Sequence, residues 1–111
     1  MKLVSAIIRP HRLEHVRDAL QAAGVGGLSV CEARGVERQA RPAAFRGIAV
    51  PIDTTSRLRI EVVCVERDVD AIISAIVGSA RTQTLGDGTI FVTQIDDVMR
   101  IRTGEVGVDA L

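Results

Sequence analysis

The spacing of apolar residues changes twice in the same way along this chain, and this repetition limits the possible folds. Residues 3–8 are apolar at almost every position and the run ends before Pro10, which predicts a buried strand. The next apolar residues have helical spacing: Leu13, Val16, Leu20 and Ala23. Gly24 stands where helices commonly end, and residues 28–33 form the next strand-like run.

The second half of the chain repeats this order. Residues 57–65 alternate at first and then become wholly apolar, which predicts a third strand. Asp68 is placed to cap a following helix. The apolar stripe of that helix is Val69, Ile72, Ile73, Ile76, Val77 and Ala80. After the turn at residues 86–88, a fourth strand is expected over residues 89–95.

The predicted fold class is α+β, with the ferredoxin-like order β-α-β-β-α-β. We expect one domain over residues 1–111, because domains usually contain roughly 100–150 residues. A long loop over residues 35–56 separates strands 2 and 3, and loops of this length are usually functional or disordered. Residues 96–111 form a polar C-terminal segment with a short strand-like piece at residues 99–103.

The predicted strands have apolar residues on both faces, although two helices can cover only one face of a four-stranded sheet. Examples on opposite faces are Val62 against Val63 and Val65, and Phe91 against Ile90 and Val92. A single chain would leave an exposed apolar patch of the kind that marks an interface. We therefore expect an oligomer in which the open sheet faces pack together.

Composition argues against several kinds of partner. Fourteen basic residues balance fourteen acidic ones, and the only aromatic residues are Phe45 and Phe91, so nucleic acid is not expected as a partner. No apolar run approaches the roughly 20 residues of a membrane span, so we expect no membrane insertion and a cytoplasmic location. Cys31 and Cys64 lie in strand-like runs and are predicted to be buried, reduced thiols.

The sequence offers little support for catalysis. His11, Glu14 and His15 match the HxxEH zinc pattern, but they occur in the first turn of a short amphipathic helix, where a solvated polar face is the simpler interpretation. No serine or cysteine has a histidine in an obvious partnering position. We therefore predict no catalytic residues and no metal site.

The stretch most suggestive of a binding site is residues 82–91. Its turn at residues 86–88 exposes backbone N–H groups on one concave side, where anionic oxygens can bind. Arg100 and Arg102 would point the same way if their segment is extended. Together these features suggest a phosphate site, whereas a plain hairpin turn followed by two solvated arginines is the alternative. Lys2 is the only lysine, so an anion site must rely on arginines, hydroxyls or backbone N–H groups.

The whole chain resembles the PII signal-transduction proteins, which are trimeric sensors of nitrogen and carbon status. Seven segments carry the resemblance. They are residues 2–10, residues 16–20 followed by Gly24, Arg38-Gln39, Phe45-Arg46-Gly47, residues 59–63, Gly86-Asp87-Gly88-Thr89-Ile90-Phe91 and Arg100-Ile101-Arg102-Thr103-Gly104-Glu105. The last two segments, in this order and separation, are the most specific.

The resemblance implies a non-enzymatic homotrimer that binds ATP, ADP or AMP in the clefts between subunits. The implied nucleotide-binding residues are Ser29, Gly35, Arg38, Gln39, Val63, Thr82, Gly86, Asp87, Gly88, Thr89, Arg100 and Arg102. The implied binding residues for an effector such as 2-oxoglutarate, held with Mg–ATP, are Gln39, Arg57 and Gly86.

The long loop at residues 35–56 would correspond to the mobile T-loop of the PII proteins, which docks on partner proteins. The implied partner-binding residues are Arg41, Phe45, Arg46, Gly47 and Val50. The partner would be a membrane transporter, such as an ammonium transporter, or a cytoplasmic enzyme.

The chain departs from the PII pattern around the phosphates. Thr89 follows the glycine turn where the family usually has a lysine, and Arg57 replaces another ligand lysine. The long loop is one residue shorter, and the tyrosine that many members modify is absent. These departures favour an alternative, a divergent sensor of ADP or AMP with a small anion such as bicarbonate. A second alternative is a ferredoxin-like metal-binding trimer or small enzyme without a nucleotide role.

Overall fold

The computed structural model describes residues 1–36 and 54–111, and the strand pairing of four residues between them. Two helices and four main strands follow the predicted order. They are β1 (Lys2–Ile8), α1 (Leu13–Ala22), β2 (Ser29–Val36), β5 (Thr54–Cys64), α2 (Val69–Ala80) and β6 (Thr89–Gln94). Between β2 and β5, the short strands β3 (Ala44–Phe45) and β4 (Ile48–Ala49) pair antiparallel.

The four main strands form one sheet in the order β2-β5-β1-β6, and every neighbouring pair is antiparallel. Val4 of β1 is paired with Val62 of β5 on one side and with Val92 of β6 on the other. The first and last strands of the two β-α-β halves are thus interleaved, which confirms the predicted ferredoxin-like α+β fold.

The core lies between the sheet and the two helices. Alternate residues of β1, Val4, Ala6 and Ile8, are at most 1% exposed. The other buried contributors are Ile60, Val62 and Cys64 from β5, Val16 and Leu20 from α1, and Ile72, Ile76 and Ala80 from α2. Full burial of one such large aliphatic side chain stabilises the fold by about 1.5–3 kcal/mol. The strand alternation and helix stripes seen in the sequence therefore mark the core correctly.

The opposite face of the sheet has no helix over it and is partly apolar. Val63 and Phe91 remain 37% and 38% exposed on this face. The Arg59 guanidinium lies 5.4 Å from the centre of the Phe91 ring. Its Nε is 3.2 Å from Glu61 Oε1, although the two atoms are not aligned as a hydrogen bond. The open apolar face predicted from the sequence is therefore present, crossed by one ion pair.

The two helices end differently. Helix α1 (Leu13–Ala22) is followed by Gly24, whose positive φ of 89° turns the chain so that the Val25 N–H bonds back to Leu20 O at 3.0 Å. Helix α2 ends without a glycine. Arg12 donates from Nε and Nη2 to Ser79 O at 2.9 and 2.6 Å, and so satisfies a terminal carbonyl from outside the helix. At the other end of α2, Asp68 makes no side-chain cap bond, contrary to prediction, because a 3-10 turn over Glu66–Asp68 leads into the helix.

Two further expectations need correction. Cys31 is exposed, because it lies on an edge strand outside the helix-covered core, whereas Cys64 is buried as predicted. Burial, followed by the nearby Asp68 charge, raises the pKa of the Cys64 thiol. The predicted loop at residues 35–56 is also shorter than expected, since β2 runs to Val36 and β5 begins at Thr54.

Within the described ranges, no helix has the length and apolar character needed to cross a membrane.

Candidate functional site

The loop between α2 and β6 is organised around the carboxylate of Asp87. Its Oδ2 accepts hydrogen bonds from the backbone N–H of Thr82 at 2.8 Å and of Gln83 at 2.9 Å. Its Oδ1 accepts from the Thr82 hydroxyl. The bond from the Thr82 hydroxyl is the largest of the effects that hold the pKa of Asp87 far below its usual range. The carboxylate therefore closes the loop as a fixed negative charge.

Arg9, at the end of β1, joins this loop from a distant part of the chain. Its Nε lies 3.3 Å from Asp87 Oδ1, and its Nη2 donates to Thr84 Oγ1 at 3.1 Å. The same Nη2 also donates to the Leu85 carbonyl oxygen. Because β1 and β6 are neighbours in the sheet, the end of β1 lies beside the start of β6. The fold thus supplies an arginine that no local pattern around the loop reveals.

The backbone of this loop has unusual dihedral angles. Gln83, Gly86 and Gly88 have φ values of 63°, 89° and 112°. At Gly88 a Cβ atom would lie only 1.7 Å from Ile7 O, so the chain crosses β1 too closely for any side chain. The N–H groups of residues 85–88 have no hydrogen-bond acceptor among the described residues. We call residues 82–88 the phosphate turn, because such an array of free N–H groups suits an anion.

A second group of predicted residues lines a cavity of about 770 Å³ elsewhere on the chain. Ser29, Val63 and Arg100 all border it, together with Glu61 and the glycines of the loop after α1. Arg100 Nη2 donates to the Leu111 carbonyl oxygen at 3.2 Å, so the C-terminal segment forms one wall. The cavity combines apolar walls with a few polar groups, as small-molecule sites commonly do.

The phosphate turn and the cavity lie towards opposite ends of β1. Thr89, directly after the turn, pairs with Ile7, whereas Val63 of the cavity pairs with Leu3. Four residues of extended strand correspond to about 13 Å. One chain therefore brings Thr82, Gly86, Asp87, Gly88 and Thr89 together, and brings Ser29, Val63 and Arg100 together, but keeps the two groups apart.

The remaining predicted residues fall in other places. Gly35 is within β2, where its carbonyl accepts a bond from Thr55 Oγ1 at 3.4 Å. Arg57 is 9% exposed and donates to Ser56 O at 2.9 Å. The predictions for Arg38, Gln39, Arg41, Arg46, Gly47 and Val50, and for the side chain of Phe45, lie outside the described residues.

The segment that contains Arg100 and Arg102 is not extended, contrary to the prediction for residues 99–103. Gly104 N–H bonds to Arg100 O, and Arg100 N–H bonds to Glu105 O, both at 2.8 Å. These bonds close a turn. The strand pairing here is limited to a single antiparallel bridge between Met99 and Val106. Alternate spacing therefore does not place the two arginines on one strand face, because Gly104, with φ of 72°, reverses the chain.

Two residues at these places were missed by the sequence analysis. Arg9 holds the phosphate turn. It could have been found in the sequence as a basic residue directly after β1, because a ferredoxin-like topology places β1 beside β6. Glu61 borders the cavity and was noted only as a polar residue in an alternating strand. Around the HxxEH residues, and in the rest of the described chain, no cluster of three histidine, cysteine or acidic residues is placed to hold a metal.

Comparison with known proteins assigns the chain to a family. The sequence profile of "Nitrogen regulatory protein P-II" matches residues 1–105. The chain belongs to the P-II family. It is 48% identical to the nitrogen regulatory protein P-II of Rhodobacter capsulatus, with all of both chains aligned. It is 46% identical to P-II protein 2 of Methanothermobacter thermautotrophicus, covering all of this chain and 97% of the relative, and 43% identical to P-II of Synechocystis over both full chains.

Membership confirms the resemblance to the PII proteins drawn from the sequence. P-II proteins are signalling proteins of nitrogen regulation rather than enzymes, so this chain is a signalling protein. The phosphate turn and the cavity are candidate sites for a regulatory ligand.

Proposed function

We propose that this protein is a homotrimeric sensor that binds adenine nucleotides between subunits and thereby controls a partner protein. The phosphate turn is the observation that carries the proposal. It presents the free N–H groups of residues 85–88 on a loop already fixed by Asp87 and Arg9. Because the loop is held before a ligand arrives, phosphate binding costs little further ordering.

The cavity is the proposed place for the adenosine part of the ligand. Its wall includes Val63 beside the polar groups of Ser29 and Glu61, which suits a flat base with donor and acceptor edges. Since one chain keeps the cavity and the phosphate turn apart, we assign each nucleotide to two neighbouring copies. The turn of one copy would bind the phosphates, and the cavity and Arg100 of the next would complete the site.

The open sheet face supports the oligomer. Its exposed apolar residues, Val63 and Phe91, lie on the face without helices. Packing three such faces together would remove this surface from water, at roughly 25 cal/mol for each Å² of apolar area. We therefore infer a trimer rather than a free single chain.

The residues at the phosphates favour ADP or AMP over ATP. Thr89 is exposed directly after the turn and offers a hydroxyl where the family pattern has a cation. A charged hydrogen bond is worth about 1.5–3 kcal/mol, and its loss falls most heavily on the most highly charged ligand. Arg38 and Gln39, at the base of the long loop, are proposed as further contacts. With Arg57 and Gly86, Gln39 would hold a small anion such as bicarbonate or, with Mg–ATP, 2-oxoglutarate.

The proposed output is a change in residues 35–56. Ligand contacts at Gly35 and at Arg38-Gln39 would alter the order of this loop, and so its docking to a transporter or a cytoplasmic enzyme. Arg41, Phe45, Arg46, Gly47 and Val50 are the proposed docking residues.

Calorimetric titration tests the ligand assignment. We expect binding of ADP and AMP, and an ATP affinity that rises about tenfold to a hundredfold in Thr89→Lys, from the energy of one added charged contact. Each nucleotide is titrated with and without bicarbonate and 2-oxoglutarate. The absence of heat with every nucleotide would refute the sensor, whereas tight Mg–ATP binding by the unaltered chain would refute only the preference assigned to Thr89.

Light scattering on the same sample gives the oligomeric state. A mass of three chains is expected, and a single chain at micromolar concentration would contradict the packing of the open faces.

A further inference from the structure

We propose that Arg9 is a positioning residue for phosphate binding: by holding the Leu85 carbonyl, it turns the Gly86 N–H towards the ligand. This inference rests on the proposed nucleotide site and adds a residue to it that contacts the loop and not the nucleotide.

The contacts of Arg9 use the geometry of its guanidinium group. One side chain reaches three different acceptors in the loop, the Asp87 carboxylate, the Thr84 hydroxyl and the Leu85 carbonyl. The loop acceptors come from residues 84–87, and Arg9 lies more than 70 positions away in sequence, at the end of β1. Arg9 therefore fixes the loop against the sheet as well as neutralising one charge.

The orientation of one peptide group follows from the contact with Leu85. In a trans peptide the C=O and the following N–H point in opposite directions. The described chain contains no cis peptide, so a Leu85 carbonyl directed at Arg9 requires a Gly86 N–H directed away from it. That N–H has no acceptor in the part of the chain that the structure describes. It is consequently available to an anion on the side opposite Arg9.

The other restraints on the loop do not fix this peptide. Asp87 binds the N–H groups of Thr82 and Gln83, which lie before Leu85 in the chain. Gly86 has a φ of 89° and no side chain to limit rotation about its backbone bonds. Among the described contacts, the bond from Arg9 is the one that sets the direction of the Leu85 carbonyl.

The alternative is that Arg9 serves only as the ionic partner of Asp87. If so, Arg9→Lys should bind ADP as well as the unaltered chain, since a point charge suffices for a simple ion pair. The proposal instead requires a planar fork that satisfies a carboxylate, a hydroxyl and a carbonyl together, which an ammonium group does less well.

The test compares Arg9→Gln and Arg9→Lys with the control Arg12→Gln. Arg12 also bonds a backbone carbonyl, that of Ser79, but makes no contact with the phosphate turn. Calorimetry measures ADP and adenosine separately. We expect both Arg9 variants to lose about tenfold or more in ADP affinity, with adenosine affinity changed by less than about twofold and with Arg12→Gln like the unaltered chain.

The amide resonance of Gly86 gives a second readout that a change in stability alone would not move. In the unaltered chain, ADP should shift this resonance strongly because its N–H gains a phosphate acceptor. The shift should be lost in Arg9→Gln and retained in Arg12→Gln. Arg9→Lys serves as the folded variant if Arg9→Gln does not fold, as judged by circular dichroism.

Three outcomes would overturn the inference. They are normal ADP affinity in Arg9→Lys, an equal loss of ADP and adenosine binding, and a Gly86 shift that persists in Arg9→Gln. Failure of the unaltered chain to bind any adenine nucleotide is a different result, because it would remove the proposed function itself.

Discussion

The loops that follow α1 and α2 occupy the same position in the two β-α-β halves, but different forces hold them. The loop after α1, residues 23–28, is closed by backbone bonds, including Val25 N–H to Leu20 O at 3.0 Å, and Gly26 and Gly27 have open space around them. The phosphate turn after α2 is held by side chains from Asp87 and Arg9. The same topological position therefore forms an open cavity wall in one half and a loop held by side chains in the other.

The difference also concerns tolerance to substitution. The glycines at 26 and 27 keep their surroundings open and have no positive φ, so their role is to leave room beside the cavity. Gly88 is required by its contact with β1, and Gln83 adopts a positive φ although it has a side chain. The phosphate turn therefore contains conformational strain of the kind that functional loops often hold.

The largest expected effect comes from Gly88→Ala. The new Cβ would lie 1.7 Å from Ile7 O, so β6 must move away from β1 or the loop must change its backbone path. We expect a loss of about 2–4 kcal/mol in unfolding free energy, from backbone strain and a disrupted contact. Urea denaturation of the variant and of the unaltered chain measures this loss of unfolding free energy.

The matched control is Gly27→Ala in the first loop, where nothing lies within 4 Å of the added atom. Its stability should change by no more than about 0.5 kcal/mol, or rise slightly through the unfolded state. Equal losses at the two positions would show that the two loops do not differ as described.

An intermediate effect, with a pH dependence, is expected for Asp87→Asn. The folded-state pKa of Asp87 is lowered, so its charge contributes stability above the unfolded pKa near 3.9, and that contribution disappears as pH falls towards the folded value. The variant should therefore melt at a lower temperature than the unaltered chain at pH 7. The difference in melting temperature between the variant and the unaltered chain should narrow steadily below about pH 4.

Thermal melts between pH 3 and pH 7 check this, with Asp18→Asn as the control. Asp18 is on the solvent side of α1 with its side chain 69% exposed, and its Arg17 partner is 3.6 Å away, so little change is expected at any pH. A constant gap between the Asp87 variant and the unaltered chain would contradict the assigned role of the charge.

The sequence predicted regular elements well because their signal is local. The alternation in β1 and the stripe of α2 reappear as buried faces, since each depends only on spacing along a few residues. The glycine turn was likewise expected to expose N–H groups. Its assignment to phosphates, and that of Asp87 and Arg100 to a nucleotide site, stays a prediction.

The remainder of the site depends on contacts that spacing does not encode. Asp87 and Arg9 are 78 positions apart, and only the antiparallel pairing of β1 with β6 brings them together. Cys31 was predicted to be buried because it lies in a strand-like run, but its strand is at an edge of the sheet and Cys31 is exposed. Arg100 and Arg102 were expected on an extended segment, whereas the hydrogen bonds to and from Arg100 close a turn there.

The smallest expected effect tests the strain at Gln83. Its φ of 63° is costly for a residue with a Cβ, by about 1–2 kcal/mol, whereas glycine adopts it freely. Glycine also gains entropy in the unfolded chain, which offsets about 0.4–1 kcal/mol of this relief. Gln83→Gly should therefore raise the unfolding free energy by about 0.5 kcal/mol.

The control is the same change in α1. Gln21→Gly should lower the unfolding free energy by about 1 kcal/mol because Gln21 is helical. Opposite signs for the two substitutions in urea denaturation would locate the strain in the phosphate turn. A loss at both would mean that Gln83 is stabilised by its surroundings and that the turn carries no strain there.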